Sequence, residues 1–257
     1  MDFEGIFTLL LAVTGILLLV DHAILKGRRQ RGAKGPVVPD PLLIQYARSF
    51  FPVILIVLLA RAFVFEPFRI PSASMMPGLV DGDFIFVEKF SYGLRLPVID
   101  TKIMSTGEPH RGDVIVFRLP TDPSVHFIKR LIGLPGDHVV VRDNQVTING
   151  TSMPMQADGF YSGGYGFTGA ELALERFGAE PHVIMLAQNR DAKDFETVVP
   201  AGHYFFMGDN RNDSADSRFP LVGLVPERNL VGHAVRIWMN WQIPGWPHWR
   251  RIGMKIR

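Results

Sequence analysis

The chain of 257 residues contains no cysteine. That removes disulfides, thiol nucleophiles and zinc–thiolate sites together, and it leaves the redox compartment open. Eight histidines are present, but none stands in H-E-x-x-H or a comparable ligand spacing, so no metal centre and no cofactor are expected. There is no G-x-S-x-G elbow, the strand-to-helix turn that presents an α/β-hydrolase serine. A net charge of only +2 argues against a nucleic-acid partner. No internal repeat occurs. With 47% hydrophobic and 20% charged residues, the composition is globular with a membrane tilt.

That tilt comes from the N-terminal part. Residues 5–20 carry no charge, and apolar character resumes at 23–25 after Asp21 and His22. As a helix, residues 5–25 would extend roughly 30 Å, about one hydrocarbon core. A cleavable signal peptide has its basic residues ahead of the apolar stretch. Here Asp2 and Glu4 precede it, and Lys26, Arg28, Arg29, Arg31 and Lys34 follow, so an uncleaved anchor fits better. A second apolar run, from near Phe50 to Phe65, contains Arg61 close enough to its end for the guanidinium to reach headgroups. A buried core helix is the alternative for so short a run. The basic loop between the spans belongs in the cytoplasm by the positive-inside rule. The expected organisation is a first transmembrane helix over 1–25, a basic cytoplasmic loop over 26–48, a second transmembrane helix over 49–66 and an extracytoplasmic domain over 67–257. In a bacterium this is a multi-pass inner (cytoplasmic) membrane protein, with its N-terminus and its large domain on the periplasmic side.

The large domain reads as mainly β. D-F-I-F-V-E-K-F, D-V-I-V-F-R-L, H-F-I-K-R-L-I and H-V-V-V-R are short, rich in β-branched and aromatic residues, and punctuated by Gly, Pro and Asp. Connections too short for crossover helices make the sheet antiparallel. Hairpin turns are expected at Asp143-Asn144 and Asn149-Gly150. Thr168 with Glu171 forms a capping box and Gly178 offers a stop, which predicts one short helix over 169–177. Residues 151–198 read as an insertion of weak periodicity, with strands resuming at 183–186 and 203–207. All four tryptophans fall between Trp238 and Trp249. Trp238 suits a core, whereas Trp246 and Trp249, beside Pro and Arg250 and Arg251, suit a membrane interface and its anionic headgroups.

Three stretches could carry chemistry. Residues 70–77, I-P-S-A-S-M-M-P, place Ser72 and Ser74 just beyond the second apolar run. A serine nucleophile needs a base. In H-F-I-K-R-L, strand alternation puts Phe127, Lys129 and Leu131 on one face and His126, Ile128 and Arg130 on the other. A lysine between Phe and Leu on an inward face is desolvated, its pKa falls toward neutrality, and it can serve as a general base. The third stretch, G-D-N-R-N-D-S-A-D-S-R at 208–218, is too polar for a strand. It reads either as a long solvated loop or as a tight turn directing Ser214 and Asp216 at a site, with Arg218 pairing an Asp.

S-x-S-M-x-P after an apolar segment, then R-G-D-V-I-V-F, I-K-R-x-x-G-L-P-G-D and G-D-N-R-x-x-S-x-D-S-R, resemble bacterial signal peptidase I (leader peptidase) of the Gram-negative type. The likeness runs from the first anchor to Arg236 and weakens over 150–198. It implies a Ser–Lys endopeptidase with two N-terminal spans and a periplasmic catalytic domain. Such an enzyme removes signal peptides from preproteins emerging from the export machinery, after Ala-x-Ala type sites. By motif position, Ser74 matches the nucleophile and Lys129 the general base. Ser72 and the Ser74 N–H match the oxyanion hole, and Ser214 the hydroxyl that orients the lysine. Asp216 and Arg218 match loop support. Phe68, Ile70, Met75, Leu79, Ile85, Val116 and Ile128 match the substrate pocket. Ile128 stands on the opposite strand face from Lys129, so the pocket must draw on both faces near a strand end. His126 receives no role, and the cysteine pair of some relatives is missing.

Two competing readings remain. A repressor-type Ser–Lys protease that cleaves itself would lack the two apolar spans. A non-enzymatic membrane-anchored β scaffold would leave Ser74, Lys129 and Ser214 without a purpose.

Overall fold

A computed structural model describes residues 3–27, 39–95, 101–177, 180–186, 191–242 and 244–257. The chain divides into two compact units, Met1–Phe65 with Leu94–Met104, and Glu66–Gly93 with Ser105–Arg257.

The first unit contains helices α1 (Phe3–Val20) and α2 (Leu42–Phe63). α1 runs on into a π-turn at Asp21–Leu25. Gly15 lets the two helices approach: a Cβ there would stand 3.2 Å from the Phe51 ring. Gly5–Leu25 and Leu42–Arg61 are each long and apolar enough to cross a membrane. α2 starts at Leu42, ahead of the boundary drawn at 49, because L-L-I-Q-Y-A-R-S after Pro41 is compatible with helix even though its polar residues lie outside the apolar run. Arg28, Arg29, Arg31 and Lys34, which set the expected topology, lie outside the described residues. A small hairpin, β3 (Leu94–Arg95) with β4 (Lys102–Met104), also belongs to this unit.

The second unit is built on a seven-stranded sheet. Its order is β1 (Phe65–Arg69), β2 (Asp83–Glu88), β16 (Leu230–Asn240), β5 (Val114–Leu119), β6 (Asp122–Gly133), β14 (His203–Met207) and β15 (Val225–Pro226). The pairings that carry a register are antiparallel. β5, V-I-V-F-R-L, shows why the sequence chooses this arrangement. Its alternate residues feed two apolar clusters, Val114 and Val116 on one side, Ile115, Phe117 and Leu119 on the other. Every residue of the strand except Arg118 is buried, as befits the centre of a sheet covered on both faces.

A four-stranded sheet, β13 (Phe195–Val198), β7 (His138–Arg142), β8 (Gln145–Ile148) and β9 (Thr151–Ser152), packs through a third cluster containing Val139, Val141, Phe205 and Met207. Its hairpin turns fall at the expected dipeptides. Asp143 and Asn144 both have positive φ, as a two-residue hairpin loop demands, and Asn149-Gly150 repeats the arrangement.

The helix expected over 169–177 is absent. Residues Glu171–Glu175 form β11, the middle strand of a three-stranded antiparallel sheet between β10 (Met155–Phe160) and β12 (His182–Leu186). Gly169 has φ of +88°, which breaks a helical start, and the Thr168 hydroxyl donates to the Gly163 carbonyl instead of capping. E-L-A-L-E then alternates as a strand in register with both neighbours. Gly178 lies outside the described residues. Among those residues the second unit has no α-helix, only 3₁₀ turns at Lys89–Ser91, Glu227–Asn229 and Trp249–Arg251.

Trp238 lies between the rings of Phe84 and Phe86 on the sheet surface, at 5.5 and 5.7 Å. Trp246 and Trp249 are 87% and 69% exposed. Arg251 departs from the headgroup expectation: it turns inward and forks onto Asp83, with N···O distances of 2.8 and 2.6 Å.

Candidate active site

Ser74 sits in the turn that leaves β1. The turn is fixed from below by Asp83, a buried carboxylate on β2. Asp83 accepts from the Val80 N–H, Asn240 Nδ2 and the Arg251 fork, and Arg251 also donates to the Gly78 carbonyl. Ile70 and Gly82 close the backbone around the turn through Asp83 O and Ile70 O. A rigid base thus holds two small hydroxyl residues at the turn, with Ser72 Oγ 3.3 Å from Ser74 Oγ.

Lys129 comes from β6 and reaches Ser74. Its Nζ lies 2.6 Å from Ser74 Oγ and 3.0 Å from the Ile128 carbonyl. The side chain is 3% exposed, with the Phe127 ring 5.3 Å away. Burial depresses its pKa from 10.5 to about 8, against the opposing pull of the Asp216 and Asp209 carboxylates. The alternation read from H-F-I-K-R-L is present: Phe127 and Leu131 pack in one apolar cluster and Ile128 in another. Ile128, Lys129, Arg130 and Leu131 are all buried, so both strand faces are covered where the lysine stands.

The polar stretch 208–218 is a folded loop, not a solvated one. Asp216 accepts from the Gly208 N–H at 3.0 Å and from the Arg218 fork at 2.8 Å twice. Arg218 donates onward to the Arg211 carbonyl at 2.6 Å. The Asn210 N–H donates to the Ser74 carbonyl at 3.1 Å, and its Nδ2 to the Ala73 carbonyl at 3.2 Å. Only glycine fits at 208, because a Cβ would collide with Ser214 Oγ and stand 2.5 Å from the Ser74 carbonyl. Ser214 is therefore brought against the Ser74 turn and buried. Its Oγ makes no hydrogen bond among the described residues, and in particular none to Lys129.

Of the residues matched to a pocket, Ile70, Met75, Leu79, Ile85, Val116 and Ile128 fall in one apolar cluster, and Phe68 packs on its edge. The His126 ring lies 5.3 Å from that of Phe68. β6 pairs with β5 from Asp122 onward but with β14 only from Arg130, so among the described residues the strand edge just upstream of Lys129 carries no paired strand.

Sequence reasoning passed over a set of buried charges. Arg130 forks onto Asp209 at 2.7 and 2.6 Å and donates to the Gly112 carbonyl. Arg211 pairs with Glu175. Arg130 was visible as the neighbour of Lys129, and Asp209 and Arg211 as members of G-D-N-R, but their partners lie far away in the chain. Glu175 falls in the stretch whose local signals point to a helix but which forms β11.

A family profile described as "Signal peptidase, peptidase S26" matches residues 43–239. The chain is 44% identical to a signal peptidase I of Pseudomonas fluorescens and 41% identical to one of Pseudomonas aeruginosa, each covering 99% of both chains. A crystal structure of a signal peptidase I from Enterococcus faecalis V583 is 31% identical, covering 50% of this chain and 98% of that one with a TM-score of 0.35. The profile spans most of the chain and the Pseudomonas likeness runs almost end to end, so this chain belongs to the signal peptidase, peptidase S26, family.

Proposed function

We propose that this protein is a membrane-anchored serine endopeptidase that removes signal peptides from exported preproteins after small residues, with Ser74 as nucleophile and Lys129 as general base. The observation that carries the reading is the 2.6 Å contact between Lys129 Nζ and Ser74 Oγ inside a buried setting. At a pKa of about 8, a useful fraction of the lysine is free amine near neutral pH.

The amine takes the Ser74 proton along that contact as Oγ attacks the scissile carbonyl. The oxyanion is received by the Ser74 N–H and the Ser72 hydroxyl, donors positioned before charge develops. The ammonium of Lys129 then protonates the leaving amine, and the mature protein departs. Water deprotonated by the same lysine hydrolyses the acyl-enzyme and releases the signal peptide. Ser214 packs behind the nucleophile turn, and the Asp216–Arg218 pair supports the loop that carries it.

The substrate adds as an extended strand along the open edge of β6, so that backbone pairing supplies affinity and pockets supply selectivity. The apolar cluster of Ile70, Met75, Leu79, Ile85, Val116 and Ile128, with Phe68 packed against it, supplies closely spaced apolar walls for the proposed pocket. That suits alanine-sized residues before the cut. Residues 67–257 form the catalytic region, residues 1–66 with their two apolar helices hold it to the inner membrane, and the basic loop places it on the periplasmic side. Exposed Trp246 and Trp249 add a lipid contact.

Ser74→Ala and Lys129→Ala are each expected to abolish cleavage of a preprotein in detergent while leaving the domain folded. Ser72→Ala is expected to lose about 10²–10³-fold in rate, as for one oxyanion donor. Cleavage by folded Ser74→Ala would end the mechanism. Lys129→Met is expected to raise stability at pH 7 by up to about 3 kcal/mol, since each pKa unit of depression is worth about 1.4 kcal/mol. The sign follows from the unfolded chain, which binds the lysine proton more tightly than the folded one below pH 10.5. The gain should therefore shrink as pH rises from 8 to 10.5. Thermal unfolding at pH 7 and pH 10 reads it, and a lower melting temperature at pH 7 would contradict a desolvated lysine. Trp246→Ala with Trp249→Ala is expected to weaken liposome binding of residues 67–257. Unchanged binding would remove those two side chains from the lipid contact.

A further inference from the structure

The inserted sheet β10–β12 contributes no group to the chemistry above, yet it carries a charge with no exposure to solvent. Glu175 ends β11, and His182, its register partner on β12, is buried beside it. Glu175 accepts both arms of the Arg211 guanidinium, Nη1 at 2.8 Å on Oε1 and Nη2 on Oε2, and His182 Nε2 lies 3.1 Å from Oε2. Burial alone would push the Glu175 carboxyl up; the Arg211 charge and the hydrogen bonds from His182 and Arg211 together outweigh it and hold the group well below the usual carboxylate range.

The same sheet grips the backbone on either side of Asn210. Met185 of β12 donates its N–H to the Asp209 carbonyl at 2.8 Å and accepts from the Arg211 N–H at 3.0 Å. Asn210, between them, is the residue whose N–H donates to the Ser74 carbonyl. From the opposite side Arg218 holds the Arg211 carbonyl. Three consecutive residues thus connect the inserted sheet to the nucleophile's own backbone.

A buried ion pair is a weak source of stability, and apolar residues of similar volume commonly do as well or better. What the fork adds over apolar packing is direction. Two parallel N–H···O bonds fix the plane of the guanidinium, and with it the backbone from which it grows. We infer that Glu175 is a positioning residue for the cleavage reaction: through Arg211 it holds Asn210 against the Ser74 carbonyl and so sets the aim of Ser74 Oγ at Lys129. The inserted sheet is then part of the catalytic apparatus. This inference rests on Ser74 and Lys129 being the reacting groups.

Two variants of the full chain test it by steady-state cleavage of a preprotein in detergent. Glu175→Gln keeps the shape and removes the charge. The double variant Glu175→Leu with Arg211→Met removes the pair altogether and is expected to unfold at or above the parent temperature. In both, kcat should fall about 10- to 100-fold, the scale of a small misplacement of reacting groups. KM should stay within about threefold, because neither residue belongs to the proposed pocket. Parental kcat in the folded double variant overturns the inference, and so does a rise in KM with kcat unchanged. If Glu175→Gln fails to fold, the double variant decides alone. Parental activity in these variants with none in Ser74→Ala would defeat this inference only; activity in Ser74→Ala would defeat the reading of the site itself.

Discussion

The structure of the second unit depends on keeping one amine out of water. The proposed role of Lys129 as a base requires that its proton be loosely held, and a loosely held lysine proton requires that nothing nearby solvate the ammonium well. The apolar surroundings supply this. Ile128 and Leu131 bury the strand on its two faces, and the Phe127 ring stands near Nζ, which among the described residues finds only the Ser74 hydroxyl and the Ile128 carbonyl. The seven-stranded sheet is the means by which a lysine is buried within β6 beside a stretch whose second edge pairs with no strand among the described residues.

Around that amine the charges are arranged in closed pairs. Arg130 with Asp209, Arg218 with Asp216 and Arg211 with Glu175 each satisfy one carboxylate with one guanidinium. Pairing matters here because a free carboxylate beside Lys129 would restore the ammonium and undo the desolvation. Asp209 and Asp216 still raise the lysine pKa, but not enough to cancel burial. The pairs also carry position. They join the loop at 208–218 to the central sheet, to itself and to the inserted sheet, and that loop in turn holds the carbonyls of Ala73 and Ser74. Asp83 plays the corresponding part on the other flank of the Ser74 turn, with Arg251 and Asn240 as its donors.

Much of this was legible in the sequence where the determinant is local. The β-branched and aromatic residues of V-I-V-F-R-L predicted a strand, alternation in H-F-I-K-R-L predicted an inward face for Lys129, and the dipeptides Asp143-Asn144 and Asn149-Gly150 predicted hairpins because positive φ is demanded there. Local signals also misled. Thr168 and Glu171 have the spacing of a capping box, but Gly169 adopts a conformation that no helix start tolerates, and the strand pairing of β11 outweighs the local preference. Ser214 was located at the site by its motif, while its expected hydrogen bond to the lysine is not made. Arg251 looked like a headgroup ligand because its partner, Asp83, is remote in the chain. The same remoteness concealed Glu175. Partners of buried charges are decided by sheet order and register, which single-residue patterns do not encode.

The central claim is that Lys129 is a desolvated amine poised to take the Ser74 proton. Its most direct test is an NMR titration of the Lys129 side chain in the folded protein, with ¹³C at Cε and assignment by loss of the signal in Lys129→Met. A midpoint at about 8 is predicted from the burial of the group. A midpoint near 10.5, the value of an ordinary lysine, would contradict the account.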